Sequence, residues 1–296
     1  MTFLILSIIF NAYLGIIFAY FKKHNIDAFQ AIVFNYITCV ITGSFVLGHF
    51  PIQITTLSEP WFKWSVLMGI LFISVFNLIA ISSAKVGITI TQTSNKLSLI
   101  IPVIFSYFIY HEPLSWLKII GIAVALVAVV LTTKADTNND SPTVKKLHWE
   151  IILPIVLFLS SGIIDTMTKY VEQRFLKNPD TSNSYLIAGF LVAAIIGSLV
   201  LSMHYISGKR SFAFKNLIAG IVLGIPNYFS IYYLIKALQS NNLSSSATIP
   251  INNIGVLFLV SIVGIFVFKE KLSKANLVGL LFTIAAIILI FLGDKI

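Results

Sequence analysis

Ten apolar runs, each long enough to cross a bilayer as a helix, constrain this chain more than any other feature. They cover residues 2 to 21, 28 to 48, 62 to 84, 88 to 110, 114 to 132, 149 to 170, 184 to 206, 214 to 237, 245 to 268 and 273 to 292. In lipid every backbone polar group must be satisfied internally, which runs of this length achieve as α-helices rising about 1.5 Å per residue. Most connections are a few residues long, so consecutive helices are predicted to be antiparallel neighbours. Hydrophobic residues make up 57% of the 296 and charged residues 10%, with a mean hydropathy of +0.94. That balance excludes an ordinary soluble core and predicts an all-α integral membrane protein crossing the bilayer many times.

The net charge of +9 does not indicate a nucleic-acid partner. Lys and Arg fall in the short connections rather than in a patch interleaved with aromatics, as expected of anchors to anionic head groups. More of them lie on the side of Lys22, Lys23, Lys145, Lys146, Lys209 and Arg210 than on the side of Lys63, Lys118 and Lys177, which predicts a cytoplasmic central linker and external termini. Cys39 stands alone in an apolar segment, so neither a disulfide nor a cysteine metal site is expected. The first run has no basic leader and no small-residue cleavage pattern before Lys22-Lys23-His24, and is read as the first span.

The longest polar stretch, Thr133 to His148, falls near the middle and divides the chain into two five-helix halves, 1–133 and 149–296, joined by a linker at 134–148. The halves echo each other. Glu112-Pro113-Leu114-Ser115 matches Glu270-Lys271-Leu272-Ser273 at a shift of 158 residues, which also pairs Gly121 with Gly279, Ala128 with Ala286 and Asn95 with Asn253. A looser echo at a shift of 150 sets Asn77 against Asn227. An odd number of spans per half turns the second half upside down, so ten transmembrane helices in two inverted five-helix repeats are predicted, with a site near the midplane between them.

Ten spans in two halves, each with an acidic-x-Leu-Ser turn before a glycine-bearing last helix (Glu112 to Ser115 with Gly121; Glu270 to Ser273 with Gly279), resemble the drug/metabolite transporter superfamily, and within it the EamA-like members. The resemblance covers essentially the whole chain. It implies passage of small metabolites such as amino acids, sugars or their derivatives through a central cavity lined chiefly by the first, third, fourth, sixth, eighth and ninth spans. The sequence departs from the small multidrug members, which rely on a membrane-embedded glutamate in the first helix. Here that helix has no acidic residue, which argues against organic-cation/proton antiport.

The polar patch Ile88 to Pro102 lies inside the fourth apolar run. Lys96 sits roughly 10 residues into that run, about 15 Å from its end, beyond what a snorkelling lysine readily covers. A cation near the midplane costs about 2.5 kcal/mol or more unless it meets water or a partner. Gln92, Asn95 and Lys96 share a helix face, and a cation with adjacent donors suits a carboxylate or phosphate. Pro102 removes the backbone donor that the Ser98 carbonyl would use, predicting a kink beyond the patch.

Asp165 and Lys169 in the sixth span are four residues apart, either neutralising each other or serving in coupling, with Asp165 exchanging partners with Lys96. Asn227 and Tyr228 follow Pro226 in the eighth span, and Asn253 follows Pro250 in the ninth. These residues, with Asn77, are the remaining candidates for substrate contact, the competing reading being hydrogen bonds that hold helices together. Enzyme signatures are absent from the sequence: no H-E-x-x-H, C-x-x-C, G-x-G-x-x-G, P-loop or G-x-S-x-G occurs. No cofactor or metal is expected. The sequence predicts a secondary carrier of a small polar metabolite, monomeric or homodimeric, in a bacterial inner membrane. The alternatives are a flippase for a lipid-linked headgroup and a non-transporting scaffold or receptor.

Overall fold

A computed structural model describes residues 1–85, 88–132, 152–240, 242–266 and 273–296. The predicted linker 134–148 and the turn at Glu270 to Leu272 lie outside these residues. The described helices are α1 (Thr2–Lys23), α2 (Ala28–Leu47), α3 (Phe62–Lys85), α4 (Ile88–Leu97), α5 (Ile100–Tyr110), α6 (Trp116–Thr132), α7 (Ile152–Phe175), α8 (Pro179–Ile206), α9 (Phe214–Gln239), α10 (Ser245–Phe266) and α11 (Lys274–Gly293). Seven of these contain stretches long and apolar enough to span a membrane, and the shorter apolar segments Thr2–Ile17, Ser94–Tyr110 and Trp116–Thr132 account for the other three predicted spans. The outer surface is apolar: Phe45, Ile206, Trp116, Phe108 and Leu281 are each more than 60% exposed, a cost that lipid rather than water relieves.

Two element boundaries differ instructively from the apolar runs. Helix α8 starts at Pro179, five residues before the seventh run. Proline in the first turn gives up only an N–H that has no helical partner, and Asp180 beside it favours the positive end of the helix dipole. The fourth run is broken rather than kinked beyond its polar patch: α4 ends at Leu97 and α5 begins at Ile100. Pro102 lies in the first turn of α5, where a missing N–H is harmless, so the interruption comes before it. The Ser98 carbonyl expected to be free accepts the Ile101 N–H at 3.0 Å, and the Ser98 hydroxyl donates to the Asn95 carbonyl at 2.6 Å. Pro226 and Pro250, by contrast, lie inside α9 and α10 without ending them.

Glycines set how closely the helices approach, as in membrane bundles generally. A β-carbon on Gly43 of α2 would press on Ile187 of α8, and one on Gly197 of α8 would press on Val33 of α2. Advancing 43 to 197 and 33 to 187 is the same step of 154 residues, so the two contacts of this antiparallel pair exchange under one shift. Gly162 of α7 against Ile101 of α5 and Gly255 of α10 against Ile8 of α1 obey the same step, 8 to 162 and 101 to 255. Gly121 of α6 lies against Leu289 and Ile290 of α11 while Gly279 of α11 lies against Leu131 and Thr132 of α6, a step of 158. Ser115 and Ser273, also 158 apart, each accept the backbone N–H of the third residue of the following helix, from Lys118 at 3.3 Å and from Asn276 at 3.2 Å.

Between the helices lie two main packed clusters. One, rich in aromatics, joins α2, α3, α8 and α9 through Tyr36, Phe72, Phe190 and Tyr228. The other joins α1, α5, α10 and α11 with α6 through Leu4, Val103, Ile254, Ile290 and Ala125.

Candidate functional site

Lys96 is in the last turn of α4, immediately before the break, and α4 packs against α7. From α7, Asp165 acts electrostatically on Lys96. The two do not form a direct ion pair: among the described residues the pairs are Lys118 with Asp294, Lys169 with Glu172 and Arg210 with Asp27. The Lys96 ammonium has no hydrogen-bond partner among the described residues, and Lys96, Asn95 and Asp165 are only partly buried. The ammonium is therefore not sealed against a carboxylate among the described residues.

Asp165 is fixed from a third element, because its Oδ2 accepts the side-chain N–H of Asn253 of α10 at 2.9 Å. One turn before Asp165 on the same face of α7, Oγ of Ser161 is a buried polar atom with no partner among the described residues, as is Oδ1 of Asn252, the chain neighbour of Asn253. Buried polar atoms are rarely left unsatisfied. The arrangement supplies one cation, one anion and an amide from three helices.

Asp165 and Lys169 do not pair with each other. Lys169 Nζ bonds Glu172 at 2.9 Å, and its ammonium lies 5.9 Å from the centre of the Tyr110 ring. Side chains lean toward the N-terminus of their helix, so Glu172 reaches back to Lys169, leaving Asp165 to α10.

The other candidates have hydrogen bonds of their own. The Asn77 amide donates to the Ile73 carbonyl of its own helix at 2.7 Å. Asn227 is buried and donates to Asn35 of α2 at 3.0 Å, and Tyr228 is fully buried with its hydroxyl donating to Asn183 of α8 at 3.2 Å. Their polar groups are taken up in holding α2, α8 and α9 together. The side chain of Gln92 lies outside the described residues. A cavity of about 540 Å³ opens at another place, the membrane edge where α2 begins and α8 ends, lined by Asp27, Gln30, Arg210 and Asn216. There Asp27 caps α2 and pairs with Arg210.

A second buried ionic cluster escaped sequence reasoning. Lys118, counted there as an interfacial cation, is 1% exposed. Its ammonium lies 2.6 Å from Asp294 and also bonds the Pro113 carbonyl and the hydroxyls of Ser244 and Ser246. Glu112 accepts the backbone N–H groups of Ser245 and Ser246, at 3.1 and 2.8 Å, and Asp294 accepts that of Ser244 at 2.8 Å. The Ser244-Ser245-Ser246 triplet, a string of small polar residues ahead of an apolar run, was its signal: the start of α10 presents N–H groups without helical partners, and two carboxylates cover them.

A family model described as the EamA-like transporter family matches residues 1–134. The chain is similar to an uncharacterized protein of Haemophilus influenzae, 31% identical over 301 residues, covering 99% of this chain and 98% of that one. It is also similar to an S-adenosylmethionine uptake transporter of Rickettsia felis, 23% identical with 92% of this chain and 85% of that one covered. A probable glucose uptake protein of Staphylococcus epidermidis is 24% identical, with 71% and 70% covered. One solved crystal structure superimposes with a TM-score of 0.73 over 99% of this chain and 96% of that one, at 14% identity, a likeness of fold.

Proposed function

Because this chain belongs to the EamA-like transporter family, within the drug/metabolite transporter superfamily, we propose that it carries a small polar metabolite with an anionic group, bound at Lys96, by alternating access. It is a multi-pass membrane transporter of small metabolites and not an enzyme, as the uptake proteins it resembles are. The observation that carries the finer reading is the Lys96 ammonium, inside the bundle without a partner among the described residues. An intramembrane cation persists at its cost of about 2.5 kcal/mol or more when water or cargo reaches it. Lys96, Asn95, Asp165 and Asn253 are the proposed substrate contacts. Asn227 and Tyr228 are assigned to helix packing, and Asn77 to a bond within its own helix. Lys169 is assigned to its ion pair with Glu172.

We infer further that residues 1–133 and 149–296 are inverted repeats about the linker 134–148. The reciprocal glycine contacts support this, since contacts that map onto themselves under one step are what a two-fold axis in the membrane plane generates. For α3 and α9 the step is 155, with Gly69 against Gly189 and Val192 matching Gly224 against Asn35 and Thr38. In this register Tyr232 stands where Asn77 does, and the step of 154 that takes Ile101 of α5 to Gly255 of α10 takes Leu99 to Asn253, so the amide echoes at 150 and 158 are not repeat-mates. Rocking of one repeat against the other would expose the Lys96 centre to each side in turn.

The test is a thermal-shift screen of purified protein against amino acids, organic acids, nucleosides and sugars, followed by uptake of the hit into proteoliposomes. Lys96→Met is expected to abolish binding and uptake while the protein remains folded and monodisperse. Undiminished uptake by that variant would refute Lys96 as the binding residue.

A further inference from the structure

The cavity of about 540 Å³ at the corner where α2 and α9 begin and α8 ends shares no lining residue with the Lys96 centre. Its floor is the buried pair Gln30 and Asn216. The Asn216 amide donates to Gln30 Oε1 at 3.0 Å, and its oxygen accepts the Asp27 N–H at 3.1 Å. The Gln30 amide donates to the Ser211 carbonyl at 2.9 Å, and the Tyr205 hydroxyl donates to Gln30 Oε1 at 3.2 Å. These bonds latch the α8–α9 connection onto the start of α2. The cavity is therefore formed before a ligand arrives, and little ordering is left for binding to offset.

Two cations, Lys209 and Arg210, line it against one carboxylate, Asp27. That carboxylate is already engaged. Its Oδ1 accepts the N–H groups of Phe29 and Gln30 at 3.0 and 3.2 Å, its Oδ2 accepts the Gln30 amide at 3.3 Å, and both oxygens meet Nη1 of Arg210. Arg210 keeps Nε and Nη2 without a partner among the described residues, and the exposed Lys209 is in no ion pair among them. A guanidinium with donors to spare beside an ammonium suits a phosphate group.

The rim is of the opposite character. Ser211 and Ala213 line the cavity, while Phe212 and Phe214, on either side of the extended Ala213, are more than half exposed, as is Ile206 at the end of α8. A soluble phosphate gains nothing from these side chains, whereas acyl chains cover them. A zwitterionic headgroup would bring its ammonium up to Lys209 and Arg210; an anionic one brings only the phosphate.

We propose that this corner binds an anionic glycerophospholipid, its phosphate on Lys209 and Arg210 and its acyl chains against Phe212 and Phe214. The site does not depend on the reading of Lys96.

The experiment mixes full-length protein in neutral detergent with equimolar phosphatidylglycerol and phosphatidylcholine of the same acyl chains and reads the bound lipid by native mass spectrometry. Phosphatidylglycerol should be retained in preference by about tenfold. Lys209→Gln should cut the preference about fivefold, the worth of one cation near a lipid phosphate, while Lys177→Gln, which removes an exposed cation at the other end of α8, should leave it unchanged. Ala213→Trp keeps every charge but fills the cavity, and should abolish the preference. Equal retention of the two lipids overturns the proposal, as does a preference that survives Lys209→Gln or Ala213→Trp intact, or one that Lys177→Gln weakens as much as Lys209→Gln does. Displacement of phosphatidylglycerol by millimolar inorganic phosphate would show an anion pocket with no use for the chains and overturn it too. Should Ala213→Trp not fold, the two lysine variants decide.

Discussion

Lys118 of α6 and Asp294, the residue closing α11, form an ion pair at 2.6 Å that is almost completely withdrawn from solvent. It ties the first half of the chain to the last residues of the second, and through Ser244 to the start of α10.

Removing one member of such a pair leaves a buried charge without its counter-ion, at a cost of about 3–5 kcal/mol, whereas replacing both by apolar groups is often neutral. Lys118→Met is therefore expected to lower the unfolding temperature in detergent markedly, and the double variant Lys118→Met with Asp294→Leu to recover most of the loss. Equal loss in the single and double variants would count against the pair as an energetic unit.

The same carboxylate predicts a dependence on pH. Burial raises the Asp294 pKa, but the hydrogen bonds from Lys118 and from the Ser244 hydroxyl and backbone N–H outweigh it, and the net effect is a lowered value. A depressed folded-state pKa contributes stability that is present above the unfolded-state value and is lost as pH falls through the folded one. Unfolding temperature followed from neutral into acidic pH should fall for the unaltered protein and fall less steeply for Asp294→Asn.

Gly69 and Gly189 face each other across α3 and α8 but are not equivalent. A β-carbon on Gly69 would overlap the Gly189 carbonyl oxygen, which is backbone and cannot swing away, whereas one on Gly189 would meet its nearest neighbour, the Ser65 carbonyl, at 3.4 Å. Gly69→Ala should destabilise by about 1–3 kcal/mol and Gly189→Ala by less, read as unfolding temperature or yield of monodisperse protein.

Asn227 and Lys96 separate architecture from cargo. Asn227→Leu loses a hydrogen bond to Asn35, typically worth about 0.6 kcal/mol and at most about 1.7 between membrane helices, and should lower stability modestly while leaving affinity for cargo unchanged. Lys169→Met, which removes the pair with Glu172 and the approach to the Tyr110 ring, should likewise retain transport, in contrast to Lys96→Met.

The spans were legible because lipid imposes a length and a polarity that any sequence must show: Phe62 to Ser82 or Lys274 to Gly293 read as membrane helices on composition alone. The oddity of Lys96 was legible for the same reason. The choice of partner was not. Asp165 has Lys169 one turn away and Asn253 far along the chain, and nothing in the spacing says that α10 comes close enough to win. Nor does spacing reveal that Lys118, near the start of a helix, is turned inward. A lysine at a helix end is an anchor or a buried ion according to what another helix end presents, and here that is Asp294.

The interruption at Ser98–Leu99 makes the lysine-bearing piece a short helix of its own. A stiff rod would transmit any tilt near Lys96 to Ser106, whose hydroxyl bonds Ser245 at 3.0 Å. If cargo binds at Lys96 as proposed, its capture would need to displace only α4, about three turns of backbone, rather than a whole transmembrane column.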